Sequence, residues 1–227
     1  MRRYSFFSIV VFFFLFLTTT NAQNQIGVRA GANWNKVKAS IPFVNIGNSL
    51  KGVEKFNFGL IYTANLSEKF GIQTELNYMK KGFAVTQDLG DVNLLGVEIP
   101  INTKVEAQIT YVDIPILAKY KFGENALKGY AILGPYLGYA SKGELVAYSD
   151  TGDEVKLAST NFNFTAVKYA RFEVGGTAGI GTTLDVGVGE IFADVRYNFG
   201  LTKLFDIPLL NSTNRGVGVN LGLLINI

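Results

Sequence analysis

Cysteine and histidine are both absent from the 227-residue sequence. Without cysteine the chain has no disulfide framework and no lipoprotein attachment site. Without either residue it cannot form a Ser-His or Cys-His nucleophile pair or one of the usual zinc sites. Paired carboxylates remain available, but no pattern marks a cleft. We therefore expect no enzymatic activity, no catalytic residues, no cofactor and no metal site.

Long hydrophobic runs are also scarce, and the longest is at the N-terminus, from Phe6 to Leu17. It follows the basic pair Arg2 and Arg3 and ends before a small-residue cleavage site at Ala22, which is typical of a secretory signal peptide. A membrane helix needs about twenty apolar residues. We expect residues 1–22 to be removed, leaving 23–227 as one domain that can cross a membrane only as a barrel.

An excess of charge of one sign is missing as well. The formal net charge is +3, and removing Arg2 and Arg3 lowers it by two to +1. Such a balance argues against a nucleic-acid partner or an acidic surface as partner.

The clearest pattern that is present is the alternation over residues 190–200. Val195 and Tyr197 lie on one face of an extended strand, while Asp194 and Arg196 lie on the other. In a soluble protein the apolar face would turn inward. We interpret it here as facing lipid, with the charged face lining the inside of a closed barrel.

Similar alternation occurs in eight segments, separated by connections that are long, short, long, short, long, short and long. The segments are 25–34, 55–66, 70–80, 107–122, 127–140, 171–182, 190–200 and 216–227. The long connections are 35–54, 81–105, 141–167 and 201–214. Short periplasmic turns and long external loops produce this rhythm. The sequence thus predicts an all-β, eight-stranded antiparallel up-and-down transmembrane β-barrel with both mature termini in the periplasm.

Two prolines conflict with this pattern, because Pro115 and Pro135 fall inside predicted strands and a closed barrel has no free edge. A bulge, or a section where one strand outruns its neighbour, would accommodate them.

Charged side chains on the polar faces are balanced, with four cations and four anions. They are Arg29, Glu75, Asp113, Lys119, Arg171, Glu173, Asp194 and Arg196. An eight-stranded barrel has an interior only just filled by side chains, so we expect an ion-pair network that fills it. The alternative is a polar lumen that passes solutes or protons.

Aromatic residues on the strands are candidates for interfacial girdles, although ordinary β-propensity also explains them. The candidates are Trp34, Tyr62, Tyr78, Tyr130, Tyr136 and Tyr197.

The acidic segment 150–154 lacks the spacing of a calcium loop and is expected to be a solvated external loop.

Four blocks, in order along the chain, resemble the PorT-like outer-membrane β-barrel family. They read TELNYMKKG at 74–82, YVDIPILAKYKF at 111–122, GPYLG at 134–138 and DVRYNFGL at 194–201. The resemblance implies a barrel in a Gram-negative-type outer membrane, with the lipid bilayer and the barrel-assembly machinery as partners. Some members are associated with protein secretion. One departure is that the chain ends in Ile227, whereas barrel proteins commonly end in an aromatic residue.

We therefore expect a role in envelope structure or in a secretion or surface-protein system, through loops or contacts with partner proteins. One alternative is narrow, porin-like passage of small solutes. Another is a soluble periplasmic lipocalin-like binder, in which the apolar faces would line a ligand cavity.

Overall fold

The computed structural model of the chain describes residues 24–40, 51–86, 92–94, 97–99, 103–149, 156–206 and 211–227. Its strands are β1 Gln25–Ser40, β2 Val53–Asn65, β3 Phe70–Thr86, β4 Val92–Leu94, β5 Val97–Ile99, β6 Thr103–Phe122, β7 Leu127–Ser149, β8 Lys156–Asn161, β9 Phe172–Asp185, β10 Gly189–Gly200 and β11 Asn211–Asn226. No helix in these ranges is long and apolar enough to cross a membrane.

Eight of the strands form a closed antiparallel ring. Going around it, β1 pairs with β2, followed by β3, β6, β7, β9, β10 and β11, and β11 returns to β1. The closing ladder extends from Gln25 opposite Asn226 to Ser40 opposite Asn211. The predicted eight-stranded barrel is confirmed. Strand β8 continues the sheet beside the end of β7, and β4 and β5 form a separate two-stranded sheet.

The short connections lie at one end of the barrel, together with the ends of the described chain. There Ile227 donates its backbone N–H to Asn24 O at 2.8 Å, and Val186 donates to Gly189 O at 2.9 Å. We call this the turn end and the opposite one the long-strand end, because β6 and β7, with 20 and 23 residues, extend furthest there.

The outer wall of the barrel is apolar over most of its height. On β10, Val195 is 47% exposed, whereas Arg196 beside it is only 3% exposed. Val28 on β1 and Leu60 on β2 are exposed in the same way. A lipocalin-like binder needs the opposite arrangement, so that alternative is not supported.

Several strands are longer than the sequence alternation predicted, which corrects the boundaries of all four long loops. The first residues of the segments 35–54, 81–105 and 141–167 continue β1, β3 and β7, and the last residues of 201–214 belong to β11. The reason is that, toward the long-strand end, apolar side chains move to the inner face of the strand and polar side chains to the outer face. Past Trp34, the inward side chains Val37 and Ala39 are apolar and buried, while Lys36 is exposed. The lipid-facing alternation stops there, but the strand does not.

Both prolines lie at local breaks in the ladders of β6. The β3–β6 ladder has no pairs between Thr74–Ile116 and Asn77–Asp113, and Thr74 Oγ1 donates to Pro115 O at 3.2 Å. The β6–β7 ladder is broken opposite Pro135. The register shift of this ladder lies elsewhere, between Thr110 and Tyr111. The missing N–H donors are therefore accommodated without a bulge at either proline.

Candidate functional site

The barrel interior is the best-defined candidate site, and its side chains form three layers. Near the turn end lies an apolar group, the lower cluster: Ile61, Leu117, Tyr130, Ile132, Phe192 and Leu224. Near the long-strand end lies the larger upper cluster: Val37, Ala39, Met79, Phe83, Val105, Ala107, Ile109, Tyr111, Ala140, Leu145, Phe164, Tyr169, Leu204 and Phe205. Charged and amide side chains fill the space between the two clusters, and we call them the ionic layer.

Arg196 is the centre of the ionic layer. Its Nη1 donates to Glu75 Oε1 at 2.7 Å, and its Nη2 donates to Asp194 Oδ2 at 2.7 Å. Arg29 Nε lies 3.4 Å from Glu75 Oε2. The second oxygen of Asp194 accepts a hydrogen bond from Asn220 Nδ2 at 2.8 Å. Each carboxylate is thus both ion-paired and hydrogen-bonded, as a buried charge requires.

Lys81 forms a second centre, which sequence reasoning missed. Its Nζ lies 2.7 Å from Asp113 Oδ2 and 3.0 Å from Glu173 Oε2. The ammonium also lies 4.3 Å from the ring centroid of Tyr111. The sequence alternation predicts that the strand ends at residue 80, which places Lys81 in a loop. Lys81 and Glu75 are an even number of residues apart on β3, so their side chains lie on the same face. This spacing could have identified Lys81 as an interior residue from the sequence.

Lys119 lies apart from both centres, close to the turn end. Its ammonium faces aromatic rings, 4.5 Å from the centroid of Tyr130 and 6.0 Å from that of Phe192. Lys121, two residues further, pairs with Glu190, which also accepts a hydrogen bond from Thr183 Oγ1 at 2.9 Å. Lys121 and Glu190 were not among the predicted interior residues.

Arg171 is the predicted interior cation that the structure places elsewhere. It is exposed, donates to Tyr139 OH at 2.9 Å and lies 4.7 Å from the ring centroid of Phe164. Strand β9 begins at the next residue, Phe172. Arg171 precedes the strand, so the alternation of side chains that points Glu173 into the barrel does not extend to it.

Tyr130 and Tyr136 are also corrected, because they point into the barrel instead of toward the interface. They are 1% and 4% exposed. Tyr130 OH donates to Asp194 Oδ2 at 2.8 Å, and Tyr136 OH donates to Glu173 Oε1 at 2.9 Å. Glycines on β9, opposite each ring, leave room for them: a Cβ at Gly175 would collide with the ring of Tyr136.

The other four candidate aromatics lie on the outer wall. Trp34, Tyr62, Tyr78 and Tyr197 are between 41% and 44% exposed. Their membership of an interfacial girdle stays a prediction.

A small cavity remains inside the ionic layer, with a volume of about 20 Å³. Arg29, Asp113 and Asn220 line it, and each has one buried polar atom without a protein partner: Nη1, Oδ1 and Oδ1 respectively. One donor and two acceptors around a space of this size suit an internal water molecule. A cavity this small leaves no room for a larger solute.

The barrel wall beyond the apolar band carries an ion cluster of its own around Glu106. Lys55 Nζ lies 2.8 Å from Glu106 Oε2, and Lys104 Nζ lies 3.2 Å from Oε1. Burial raises the pKa of this carboxyl, but the hydrogen bonds and charges of the two lysines outweigh burial and hold the pKa below its usual range. Segment 150–154, considered as a calcium loop from sequence, lies outside the described residues.

Comparison with known proteins agrees with this architecture. OprG, an outer membrane protein of Pseudomonas aeruginosa, has a similar structure with a TM-score of 0.50 at 12% identity, covering 91% of this chain and 96% of OprG. Ail, the attachment invasion locus protein of Yersinia pestis, is 14% identical with a TM-score of 0.43, covering 89% of this chain and 99% of Ail. At 12% identity the likeness to OprG shows the fold alone. No curated protein matches the sequence.

The family comparison goes further, because it covers most of the chain. Residues 21–206 match the outer membrane protein beta-barrel domain. Together with the closed ring and its apolar outer wall, this match shows that the chain belongs to the outer membrane protein beta-barrel domain family.

Proposed function

We propose that this outer-membrane barrel is a sealed, non-enzymatic envelope protein that acts through the part of it projecting beyond the bilayer. Contacts of that part with partner proteins would serve envelope structure or a secretion or surface-protein system. The resemblance of four sequence blocks to the PorT-like family supports the second of these roles.

The observation that carries the proposal is the filled interior. A conducting barrel needs a continuous wet path, and here such a path would have to cross two apolar clusters. The lower cluster includes Leu117 and Leu224, both fully buried, and the upper cluster includes Tyr111 and Leu204, which are at most 1% exposed. The charges between them are paired with one another, so they are not available to a passing ion.

Strand length indicates where contacts with partners would occur. A transmembrane strand needs about 9–11 residues. With 20 and 23 residues, β6 and β7 exceed that length about twofold, and β8 adds a further strand beside β7. The excess lies at the long-strand end. Short turns are typically periplasmic and long segments external, so this end would face outside the cell.

Conductance in a planar lipid bilayer tests the sealed interior. The refolded protein is expected to give no unitary steps above the leak of the empty membrane, in contrast to a general porin measured in the same bilayer. Reproducible steps from the protein would contradict the proposal and favour narrow passage of small solutes.

Export through a cleaved signal peptide is part of the same proposal. The basic start, short apolar run and Ala22 predict a mature N-terminus at Gln23. N-terminal sequencing of protein from outer membranes checks this, and a retained Met1 would contradict it.

A further inference from the structure

Three cations form a cluster on the outer wall of β1 and β11, near the long-strand end. Lys36 and Lys38 are exposed on β1, and Arg215 on β11 is the direct cross-strand partner of Lys36. No carboxylate in the described part of the chain lies within 4.0 Å of any of them. The lysines of the opposite wall differ, since Lys80 and Lys142 both pair with Glu144.

The chain around this cluster carries little negative charge. Residues 39–50, which follow Lys38, contain no charged side chain, and neither do residues 207–214, which precede Arg215. The nearest acidic residue in register is Glu54, which lies opposite Trp34 and not opposite the cations. The cluster is therefore an unbalanced positive patch on a barrel whose other strand charges are mostly paired.

The patch lies at the edge of the apolar outer wall. Trp34 lies two residues before Lys36, on the same face of β1. Its cross-strand partner is Val217, which pairs in turn with Tyr197 on β10. The guanidinium of Arg215 lies 6.0 Å from the ring centroid of Phe199. Aromatic residues of this kind mark the level where hydrocarbon gives way to headgroups.

Below the patch, on the same strand, the outer wall has a groove of about 790 Å³, within the size range of ligand sites. Its lining includes Val28, Ala30, Phe58, Leu60, Leu221 and Leu223. Ala30 forms its floor, because this small side chain lies between its cross-strand partners Phe58 and Leu221. Six residues separate Ala30 from Lys36, or about 20 Å along the strand.

We propose that this face binds a phosphorylated, anionic lipid of the leaflet at the long-strand end. An acyl chain occupies the groove at Ala30, and the phosphate accepts hydrogen bonds from Lys36, Lys38 and Arg215. Charge-assisted bonds of this kind are the usual way in which proteins hold phosphate groups. The assignment to the outer leaflet rests on the proposed topology, whereas the binding itself does not.

Lipid binding is measured by titrating the detergent-solubilised protein with dimyristoyl phosphatidylglycerol or dimyristoyl phosphatidylcholine and counting bound lipids by native mass spectrometry. The two lipids have the same chains and differ in net charge. The protein is expected to prefer phosphatidylglycerol on the order of tenfold. Added salt should weaken the preference, because the two lysine charges are exposed and Arg215 is partly exposed.

Replacing all three cations by glutamine, in K36Q/K38Q/R215Q, should abolish the preference. The matched control K80Q/K104Q/K142Q removes the same net charge from the opposite wall and should keep it. A second variant, K36R/K38R/R215K, exchanges the cations without losing charge and should also keep it. Equal affinity of the unaltered protein for both lipids would overturn the proposal, as would a preference that survives K36Q/K38Q/R215Q.

Ala30→Leu tests the groove separately, because the larger side chain projects from its floor and narrows it. This variant is expected to bind fewer molecules of either lipid, with the ratio between the two unchanged. Ala178→Leu, on the outer wall of β9, is the control and should bind as the unaltered protein does. Unchanged occupancy in Ala30→Leu would overturn the assignment of the groove. Neither result depends on conductance, so a failure here is distinct from a failure of the sealed-barrel proposal.

Discussion

Arg196→Leu is the substitution that most directly tests the inverted barrel. The guanidinium is 3% exposed and donates five hydrogen bonds, shared between Glu75 and Asp194. The ionic layer contains three cations, Arg29, Lys81 and Arg196, against four carboxylates. Removing Arg196 leaves two cations, which lie nearer to other carboxylates than to Asp194.

The expected loss is about 3–5 kcal/mol of unfolding free energy, the usual cost of breaking a buried ion pair by removing one partner. Some compensation remains, since Asp194 keeps its hydrogen bonds from Tyr130 and Asn220, and Glu75 keeps Asn77. Glu75 also keeps its ion pair with Arg29. The neutral donors satisfy the oxygens of Asp194 but do not neutralise its charge.

Two controls fix the interpretation. Arg171→Leu makes the same replacement at an exposed arginine and should cost less than about 1 kcal/mol. Val195→Leu, on the lipid face next to Arg196, should change stability by less than about 0.5 kcal/mol, whereas Val195→Arg should cost about 2–4 kcal/mol near the bilayer midplane.

Reversible urea titrations in lipid vesicles, followed by tryptophan fluorescence of Trp34, provide the free energies. The reasoning is refuted if Arg196→Leu is no more costly than Arg171→Leu while Val195→Leu is strongly destabilising. That pattern would mean that the apolar face points inward and the charged face outward.

Three further predictions concern topology, the projecting wall and the inward tyrosines. A cysteine replacing Ser159 on β8 should react with an impermeant thiol reagent on intact cells, and one replacing Ser67 should not; the reverse pattern would contradict the topology. The lowered pKa of Glu106 means that its stabilising contribution is present above the ordinary glutamate pKa of about 4.3 and is lost as pH falls through the lowered value. The protection of β6 amides from hydrogen exchange, taken relative to the rate of an unstructured chain at the same pH, should therefore fall in that acidic range, and Glu106→Gln should remove this loss of protection. Tyr130→Phe should cost about 1.5–3 kcal/mol, because it removes a hydrogen bond to a buried carboxylate, whereas Tyr197→Phe on the outer wall should be nearly silent in the same titration.

The sequence was most informative where one face is polar and the other apolar throughout. On β10 the alternation of Val195, Arg196 and their neighbours is enough to identify the strand and to assign its two faces, and the structure agrees. It was least informative where that contrast changes along a strand. The exchange of polarity after Trp34, and the same change on β3 and β7, made the strand residues at the long-strand end resemble loops in the sequence, and Lys81 was among them.

Side-chain alternation is a property of neighbouring residues, so the sequence by itself determined the eight strands of the ring, their order and the face on which most charges lie, but not the short strands β4, β5 and β8. It did not determine which charges meet, because that depends on the register between strands far apart in the chain. Arg196 and Glu75 are 121 positions apart and come together across the barrel interior. The inward Tyr130 and Tyr136, the exposed Arg171 and the two apolar clusters that close the interior were decided by the closed ring, because only closure brings all eight inner faces within contact distance.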